Sequence, residues 1–283
     1  MPACSDRSVG CVLRGVGELL RLGNCAIIAV AALVGYTIGG GRGASVVLPL
    51  SLAAASVGGW GNVVNDYFDI SVDRVNKPWR PLAKGVVKPQ ESLALGFLLA
   101  TLGILLSAFV SLFCALVAAA AVFILFLYSW RLKRSGLPGN LAVAFLSALS
   151  IIYGGLASPN PPASLLPALY AFVVILGREL AKGLEDVQGD AAAGIRTVAV
   201  VHGPRAAVLA SAAVLLTLVA MSPLPALLLG YGPGYLAVAL LGVDMPVVYA
   251  LALLAKAPLA NAWRATRVLK ISLLMGLVAF LLG

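Results

Sequence analysis

The chain has 283 residues, of which 61% are hydrophobic and only 11% are charged. Soluble domains carry about 25% charged residues, so this composition excludes an ordinary soluble protein and predicts an integral membrane protein. The net charge is +9. No soluble basic domain exists to turn that charge into nucleic-acid binding, so we expect no nucleic acid among the partners.

Apolar segments recur along the chain at lengths that suit membrane-spanning helices rather than barrel strands. Clusters of Pro, Gly or charged residues separate most of them. The pattern predicts an all-α, polytopic fold with nine transmembrane helices in a single domain over residues 1–283. The predicted helices cover residues 20–40, 45–70, 91–109, 111–130, 138–158, 164–188, 204–222, 233–256 and 266–282.

Positive charges are distributed very unevenly between alternate loops. With a cytoplasmic N-terminus and nine spans, 19 of the 20 Lys and Arg residues face the cytoplasm, and only Arg42 faces outside. The positive-inside rule favours this arrangement, which losing or adding one helix would scramble. We therefore predict a multi-pass protein of the cell membrane with its N-terminus inside and its C-terminus outside.

The second predicted helix carries a stripe of polar residues near its cytoplasmic end. Asn62, Asp66, Asp69 and Asp73 stand at offsets 0, 4, 7 and 11. At about 100° per residue, these offsets fall within roughly 60° of one another around a helix. Buried unpaired acids are costly in a membrane, so the stripe indicates a functional cation site.

The sixth predicted helix repeats the same offsets with Glu179, Gly183, Asp186 and Asp190. The two stripes hold six of the eleven Asp and Glu residues. Carboxylates facing one another suit divalent cations, and cations held in this way suit a phosphate-bearing ligand. We expect the second and sixth helices to lie close enough for both stripes to share one site.

Basic residues follow the acidic stripes in the predicted cytoplasmic loops. Lys77, Arg80 and Lys133 are expected to contact phosphate, since charge-assisted hydrogen bonds hold such groups. Lys182 is either a phosphate contact or a salt-bridge partner. The alternative for the first stripe is a salt-bridge cluster in which its aspartates pair with Arg74, Lys77 and Arg80.

Two motifs resemble those of the UbiA family of intramembrane prenyltransferases. The segment Asn65-Asp66-Tyr-Phe-Asp69-Ile-Ser-Val-Asp73 is similar to that family's N-D-x-x-D-x-x-x-D motif. Asp186-Val-Gln-Gly-Asp190 is similar to its second D-x-x-x-D motif. The Asn-Lys-Pro-Trp-Arg-Pro run and the segment from Tyr128 to Lys133 also look like the family. The resemblance extends over essentially the whole chain.

The resemblance implies nine helices around a central cavity and transfer of an isoprenoid group from its diphosphate to an acceptor, with Mg²⁺ or Mn²⁺. Helix geometry favours Asn62 as the assisting amide ligand, since Asn65 lies about 60° off the stripe axis; the family pattern names Asn65, so both are kept. The implied catalytic and metal-binding residues are Asp66, Asp69, Asp73, Asp186 and Asp190, with Asn62 as a further ligand. The implied substrate-binding residues are Asn62, Asn65, Lys77, Arg80, Tyr128, Lys133 and Lys182.

The acceptor is predicted from the segment that contains the second motif. Residues 177–190 look most like the archaeal lipid branch of the family, in which a geranylgeranyl group is transferred to geranylgeranylglyceryl phosphate. An aromatic acid, as in quinone synthesis, is the alternative acceptor. The expected partners are an isoprenoid diphosphate, this acceptor and membrane lipid. An ion-coupled transporter is the alternative from another class, but transporter sites lie near the bilayer midplane, whereas these acids cluster at one face.

Overall fold

A computed structural model describes residues 8–283, whose regular secondary structure is helical and includes no strand. The predicted all-α class is confirmed. Arg7, part of the predicted cytoplasmic N-terminus, lies outside the described residues. The helices are α1 (Val9–Leu20), α2 (Leu22–Ile38), α3 (Ala44–Phe68), α4 (Ile70–Asn76), α5 (Pro81–Lys84), α6 (Pro89–Val110), α7 (Leu112–Trp130), α8 (Leu137–Leu156), α9 (Leu165–Glu185), α10 (Val187–Ala192), α11 (Val198–Met221), α12 (Leu224–Leu229), α13 (Pro233–Val238), α14 (Met245–Lys256) and α15 (Pro258–Leu281).

Within the described residues, seven helical stretches are long and apolar enough to cross a membrane. The pair α1 and α2, bent by 42°, forms an eighth candidate if it is one span. The last helix, α15, carries Arg264, Arg267 and Lys270 and is not among these apolar helices. The chain is therefore a multi-pass membrane protein, whereas the count of nine spans stays a prediction.

Two predicted joints between helices appear where local chemistry requires them. Ser111 adopts an extended conformation between α6 and α7, and its hydroxyl accepts a hydrogen bond from the Cys114 amide at 3.1 Å, which caps α7. Near the start of α11, Gly203 has a φ of 84° and is followed by Pro204. The proline breaks the helical ladder there, and this is where the sequence placed the start of the seventh span.

The contacts divide the chain into two compact units, and the first holds residues 8–33 and 43–131. Its centre is α3, which packs against α6 and α7. The approach to α6 is close, because a Cβ added to Gly103 would lie 2.8 Å from Cγ2 of Val57. The indole nitrogen of Trp60 donates to the Val122 carbonyl at 3.0 Å. These contacts hold the part of α3 that leads into the first acidic motif.

The second unit holds residues 34–42 and 132–283 and is built around α9. This helix packs against α8, α11 and α15. The Ser211 hydroxyl donates to the Gly177 carbonyl at 2.8 Å. Leu180 and Leu184 are buried near the C-terminal end of α9. The helix that leads into the second acidic motif is therefore firmly held. That residues 1–283 act as a single domain stays a prediction.

Candidate active site

The first acidic motif spans the junction of α3 and α4. The long helix ends at Phe68, Asp69 stands at the junction with φ −90° and ψ 0°, and α4 begins at Ile70. Backbone bonds continue through the break, because the Asp69 amide donates to the Asn65 carbonyl at 3.1 Å and the Asp73 amide to the Asp69 carbonyl at 2.7 Å. The residues of the predicted stripe are therefore joined by helical backbone hydrogen bonds across the junction.

Two aspartates of this motif are buried and meet at one basic side chain. Asp66 is 3% exposed and Asp73 is 5% exposed. Nη1 of Arg80 donates to Oδ1 of Asp66 at 3.0 Å and to Oδ2 of Asp73 at 2.6 Å. Burial raises the pKa of the Asp73 carboxyl, and the neighbouring Arg80 guanidinium opposes this rise. In this conformation Arg80 forms part of the salt-bridge cluster that was the alternative interpretation.

Arg21 is a second basic partner of Asp66, although its place in the sequence indicated only a role in topology. Its guanidinium donates to Oδ1 of Asp66. Arg21 lies at the break between α1 and α2, with φ 50° and ψ 58°. No pattern around Arg21 distinguishes it from the other N-terminal basic residues, so only the tertiary contact identifies it.

The two candidate asparagines make different contacts. Asn65 donates from Nδ2 to Oδ2 of Asp69 at 3.1 Å and to Oδ1 of Asp66 at 3.5 Å, so it links two acids of the motif. Asn62 donates from Nδ2 to the carbonyl of Leu20 at 2.7 Å. Of the two amides, only Asn65 is bonded to the acids of the motif.

The loop after the first motif packs back onto α1. Leu82 and Val87 are buried in a cluster with Leu19 and Val63. A Cβ added to Gly15 would lie 3.1 Å from Val86 Cγ1, so a larger side chain there would press on the loop. Since Arg80 immediately precedes this packed segment, its backbone is anchored close to the acids.

The second acidic motif is also divided by a helix junction. α9 ends at Glu185, Asp186 stands at the junction with φ −97° and ψ 4°, and Asp190 lies on the short helix α10. The Asp190 amide donates to the Asp186 carbonyl at 2.8 Å. No residue of α10 is buried, so α9 and its neighbours provide the firm support for this motif.

Ion pairs and a bond to α15 surround the end of α9. Glu179 pairs with Arg178 at 2.7 Å and with Lys182 at 3.9 Å. Arg178 also donates from Nε to the Thr266 carbonyl at 3.3 Å, and the Thr266 hydroxyl donates to Oε2 of Glu185 at 2.9 Å. Thr266 was not singled out from the sequence, because a threonine inside an apolar helix gives no signal.

The remaining predicted substrate-binding residues lie near helix ends. Lys77 directly follows α4, and Tyr128 is in the last turn of α7. Lys133 belongs to a single 3₁₀ turn, Leu132–Ser135. All three are half-buried. Their contact with a substrate stays a prediction.

The donor chemistry of the first motif suits a hard cation. Among residues 8–283, no three Asp, Glu, His or Cys side chains stand close enough together to hold a metal ion. Yet carboxylate oxygens of Asp66 and Asp73 converge on one cationic nitrogen of Arg80, which stands in the position of a cation. Carboxylate oxygens are the ligands that Mg²⁺ takes from proteins, so these residues fit such an ion once the guanidinium moves away.

Comparison with known proteins identifies close relatives over nearly the full length. The digeranylgeranylglyceryl phosphate synthase of Hyperthermus butylicus is 40% identical, with 96% of this chain and 97% of the relative covered. The enzyme of the same name from Methanopyrus kandleri is 36% identical, with 95% and 98% covered. Each of these two relatives therefore aligns with at least 95% of this chain.

Solved structures share the fold. One, from work on digeranylgeranylglyceryl phosphate synthase in membranes, has a TM-score of 0.76 and 31% identity, with 96% of this chain and 98% of that chain covered. A UbiA homolog from Archaeoglobus fulgidus bound to GPP and Mg²⁺ has a TM-score of 0.68 and 16% identity, with 94% and 99% covered. The family model of the UbiA prenyltransferase family matches residues 26–274. This chain belongs to the UbiA prenyltransferase family.

Proposed function

We propose that this protein transfers a geranylgeranyl group from geranylgeranyl diphosphate to geranylgeranylglyceryl phosphate in the synthesis of membrane ether lipids. The chain is a UbiA-type prenyltransferase, and relatives that are 32–40% identical over nearly all of it are digeranylgeranylglyceryl phosphate synthases. These relatives favour a phosphorylated lipid over an aromatic acid as the acceptor. Because the chain belongs to a prenyltransferase family, the alternative hypothesis of an ion-coupled transporter is set aside.

The observation that supports diphosphate chemistry most directly is the convergence of Asp66 and Asp73 on Arg80. We propose that this cluster binds Mg²⁺ in the working enzyme, since the Archaeoglobus fulgidus homolog is bound to GPP and Mg²⁺. The proposed ligands are Asp66, Asp69, Asp73, Asp186 and Asp190, assisted by Asn65. When bound, the metal supplies positive charge that stabilises the leaving diphosphate.

Basic side chains share in holding the diphosphate. Once it binds, Arg80 is released from the aspartates and its guanidinium can bond two phosphate oxygens at once. We propose that Lys77, Lys133 and Lys182 add further positive charge and that the Tyr128 hydroxyl donates to the substrate. Fixed donors aimed at the leaving group stabilise the charge that develops there as the C1–O bond breaks.

Apolar helix faces protect the reacting carbon from water. As the C1–O bond breaks and the diphosphate leaves, the prenyl group develops cationic character at C1, and exclusion of water prevents its hydrolysis before the acceptor attacks. We propose that a cavity between the helices encloses this group, with residues 1–283 acting as one domain. The oxygen of the acceptor hydroxyl then forms a bond to C1, the hydroxyl proton passes to the departing diphosphate, and inorganic diphosphate leaves the site.

We further propose that the diphosphate-binding loops face the cytoplasm, with the N-terminus inside and the C-terminus outside. The uneven distribution of Lys and Arg supports this orientation. The same charges stand next to both acidic motifs, so topology and anion binding use the same face of the membrane.

Purified protein in lipid nanodiscs provides the test of the proposed function. The protein is incubated with geranylgeranyl diphosphate and Mg²⁺, together with either geranylgeranylglyceryl phosphate or 4-hydroxybenzoate, and products are identified by mass spectrometry. We expect a doubly prenylated glyceryl phosphate with the first acceptor and no product with the second. Prenylation of the aromatic acid alone would replace the proposed acceptor.

A further inference from the structure

The first helical segment is broken by a residue in an unusual backbone conformation. Arg21 is the one residue other than glycine with a positive φ in the described chain. Its values, φ 50° and ψ 58°, lie in the left-handed region, which is disfavoured for side chains with a Cβ. A conformation of this kind persists only where the surrounding structure holds it.

The break frees a backbone carbonyl for a side-chain donor. In an uninterrupted helix, the Asn24 amide would donate to the carbonyl of Leu20. Here it donates to the Arg21 carbonyl at 2.7 Å. The Leu20 carbonyl accepts instead from Nδ2 of Asn62 at 2.7 Å and from the Cys25 thiol at 3.2 Å. Since a carbonyl can only accept, it is the NH₂ group of Asn62 that faces it.

Two positions one turn apart on α3 therefore hold two adjacent residues at the break. Asn62 binds the backbone of Leu20, and Asp66 binds the side chain of Arg21. Residues four apart lie on one face of a helix. The amide thus fixes the backbone from which the guanidinium reaches the acid.

We propose that Asn62 is a positioning residue and not a metal ligand: it holds the break at Leu20 so that Arg21 is presented to Asp66. This inference rests on the proposed function and revises the sequence-based role of Asn62. With Arg80 on the same carboxylate, Arg21 completes a pair of guanidinium groups at one buried acid. Of the two asparagines, Asn65, which is bonded to Asp66 and Asp69, is then the proposed amide ligand of the metal.

Replacing Asn62 by aspartate separates the two roles. A carboxylate is a stronger metal ligand than an amide oxygen, so a ligand at this position should tolerate Asn62→Asp well. A carboxylate cannot donate to the Leu20 carbonyl, so a positioning residue should be damaged as much by Asn62→Asp as by Asn62→Ala. We expect both variants to weaken binding of Mg²⁺ with inorganic pyrophosphate, measured by calorimetry, by roughly tenfold.

Arg21→Gly tests the same inference without disturbing the hydrogen bond of Asn62. Glycine adopts the left-handed conformation without strain, so the break should persist while the guanidinium is lost. We expect pyrophosphate binding to weaken by about the same roughly tenfold factor as in Asn62→Asp. If Asn62 acts through Arg21, the double variant should bind no more weakly than Arg21→Gly alone. Arg21→Gly also serves as the test should the Asn62 variants fail to fold.

Asn261 provides a matched control. Its Nδ2 donates to the Leu253 carbonyl at 2.8 Å, at the junction of α14 and α15. Asn261→Asp therefore removes the same kind of hydrogen bond at another helix junction. We expect it to lower the melting temperature and to leave pyrophosphate binding unchanged.

Several outcomes would overturn the inference. They are wild-type binding in Asn62→Asp, wild-type binding in Arg21→Gly, and independent effects that multiply in the double variant. Pyrophosphate binding does not involve the acceptor, so it separates this inference from the proposed function. If the variants weaken pyrophosphate binding but the wild type does not prenylate geranylgeranylglyceryl phosphate, only the proposed acceptor is wrong.

Discussion

Nη1 of Arg80 lies 2.6 Å from Oδ2 of Asp73, a carboxyl group that is almost fully buried. The same nitrogen bonds Asp66, which lies in the last turn of α3. Arg80 thus links two acids that would otherwise repel each other, and Arg21 adds a second positive charge at Asp66. In the proposed reaction, the metal diphosphate takes over this neutralising role, and the arginine turns to the phosphate.

Arg80→Ala should lower kcat/KM for the prenyl diphosphate by roughly tenfold to a hundredfold. The physical reason is the loss of a charged hydrogen bond, about 1.5–3 kcal/mol. Lys133→Ala should lose kcat/KM on the same scale. The measurement is steady-state kinetics in nanodiscs with varied geranylgeranyl diphosphate.

Lys84→Ala is the matched control for the basic residues, because Lys84 is an exposed residue in the same loop as Arg80. Its removal should change kcat/KM little. Wild-type kinetics in both Arg80→Ala and Lys133→Ala would limit the role of these residues to topology.

Activity should require Mg²⁺ or Mn²⁺ and should disappear in excess EDTA. Asp66→Ala and Asp186→Ala should each remove most of the turnover, because each deletes a carboxylate from one of the two acidic motifs. Melting temperatures would show whether the variants stay folded. Full turnover in EDTA, or a wild-type rate in either variant, would contradict the metal-dependent mechanism.

Asp244→Asn tests whether any buried acid has the same effect. Asp244 is 7% exposed, lies far along the sequence from both motifs and accepts a hydrogen bond from Ser222 at 2.5 Å. An amide oxygen can still accept that bond. We expect activity and its dependence on Mg²⁺ to remain near the wild-type level.

Thr266→Val should weaken the support of the second motif. The change removes the hydroxyl that bonds Glu185, the residue before Asp186, at 2.9 Å, while the shape of the side chain is kept. We expect a loss of about 1 kcal/mol in stability and a higher Mg²⁺ concentration for half-maximal rate. Thr266→Ser retains the hydroxyl and should restore the Mg²⁺ dependence.

Thr217→Val makes the same chemical change on the exposed side of α11, where the hydroxyl bonds only the Ala213 carbonyl of its own helix. It should leave the Mg²⁺ dependence unaltered. If both threonine variants shift the Mg²⁺ requirement equally, the contact between α15 and α9 has no special role at the motif.

Membrane topology can be tested with single cysteines in a chain whose native cysteines are replaced. Lys84→Cys should react with an impermeant maleimide only when the cytoplasmic face is accessible, because basic loops remain inside. Leu282→Cys should react from the outside. Labelling of both cysteines from the same face would contradict the odd number of spans predicted between these two positions.

Helix positions and motif positions follow from local patterns, so the sequence determines them largely by itself. Runs of apolar residues exclude charge over the length of a bilayer, which is why the predicted spans fall on helical segments of the structure, although some cross a break between two helices. The repeat of acids at helical offsets identified both motifs. Even the junctions at Ser111 and Gly203 have local causes. The Ser111 hydroxyl caps α7, and the Gly203-Pro204 pair interrupts the helical hydrogen bonds of α11.

The partners of the acids are decided by tertiary structure. Arg21 and Asp66 are separated by 45 positions, and Thr266 and Glu185 by 81. No local pattern indicates such pairs, because packing between distant helices determines which side chains meet. The role of Asn62 illustrates the limit: helical periodicity places it on the stripe with the acids, but its amide is bonded to the carbonyl at a break in another helix. A hydrogen bond of that kind depends on where two backbones approach, which periodicity along one helix does not specify.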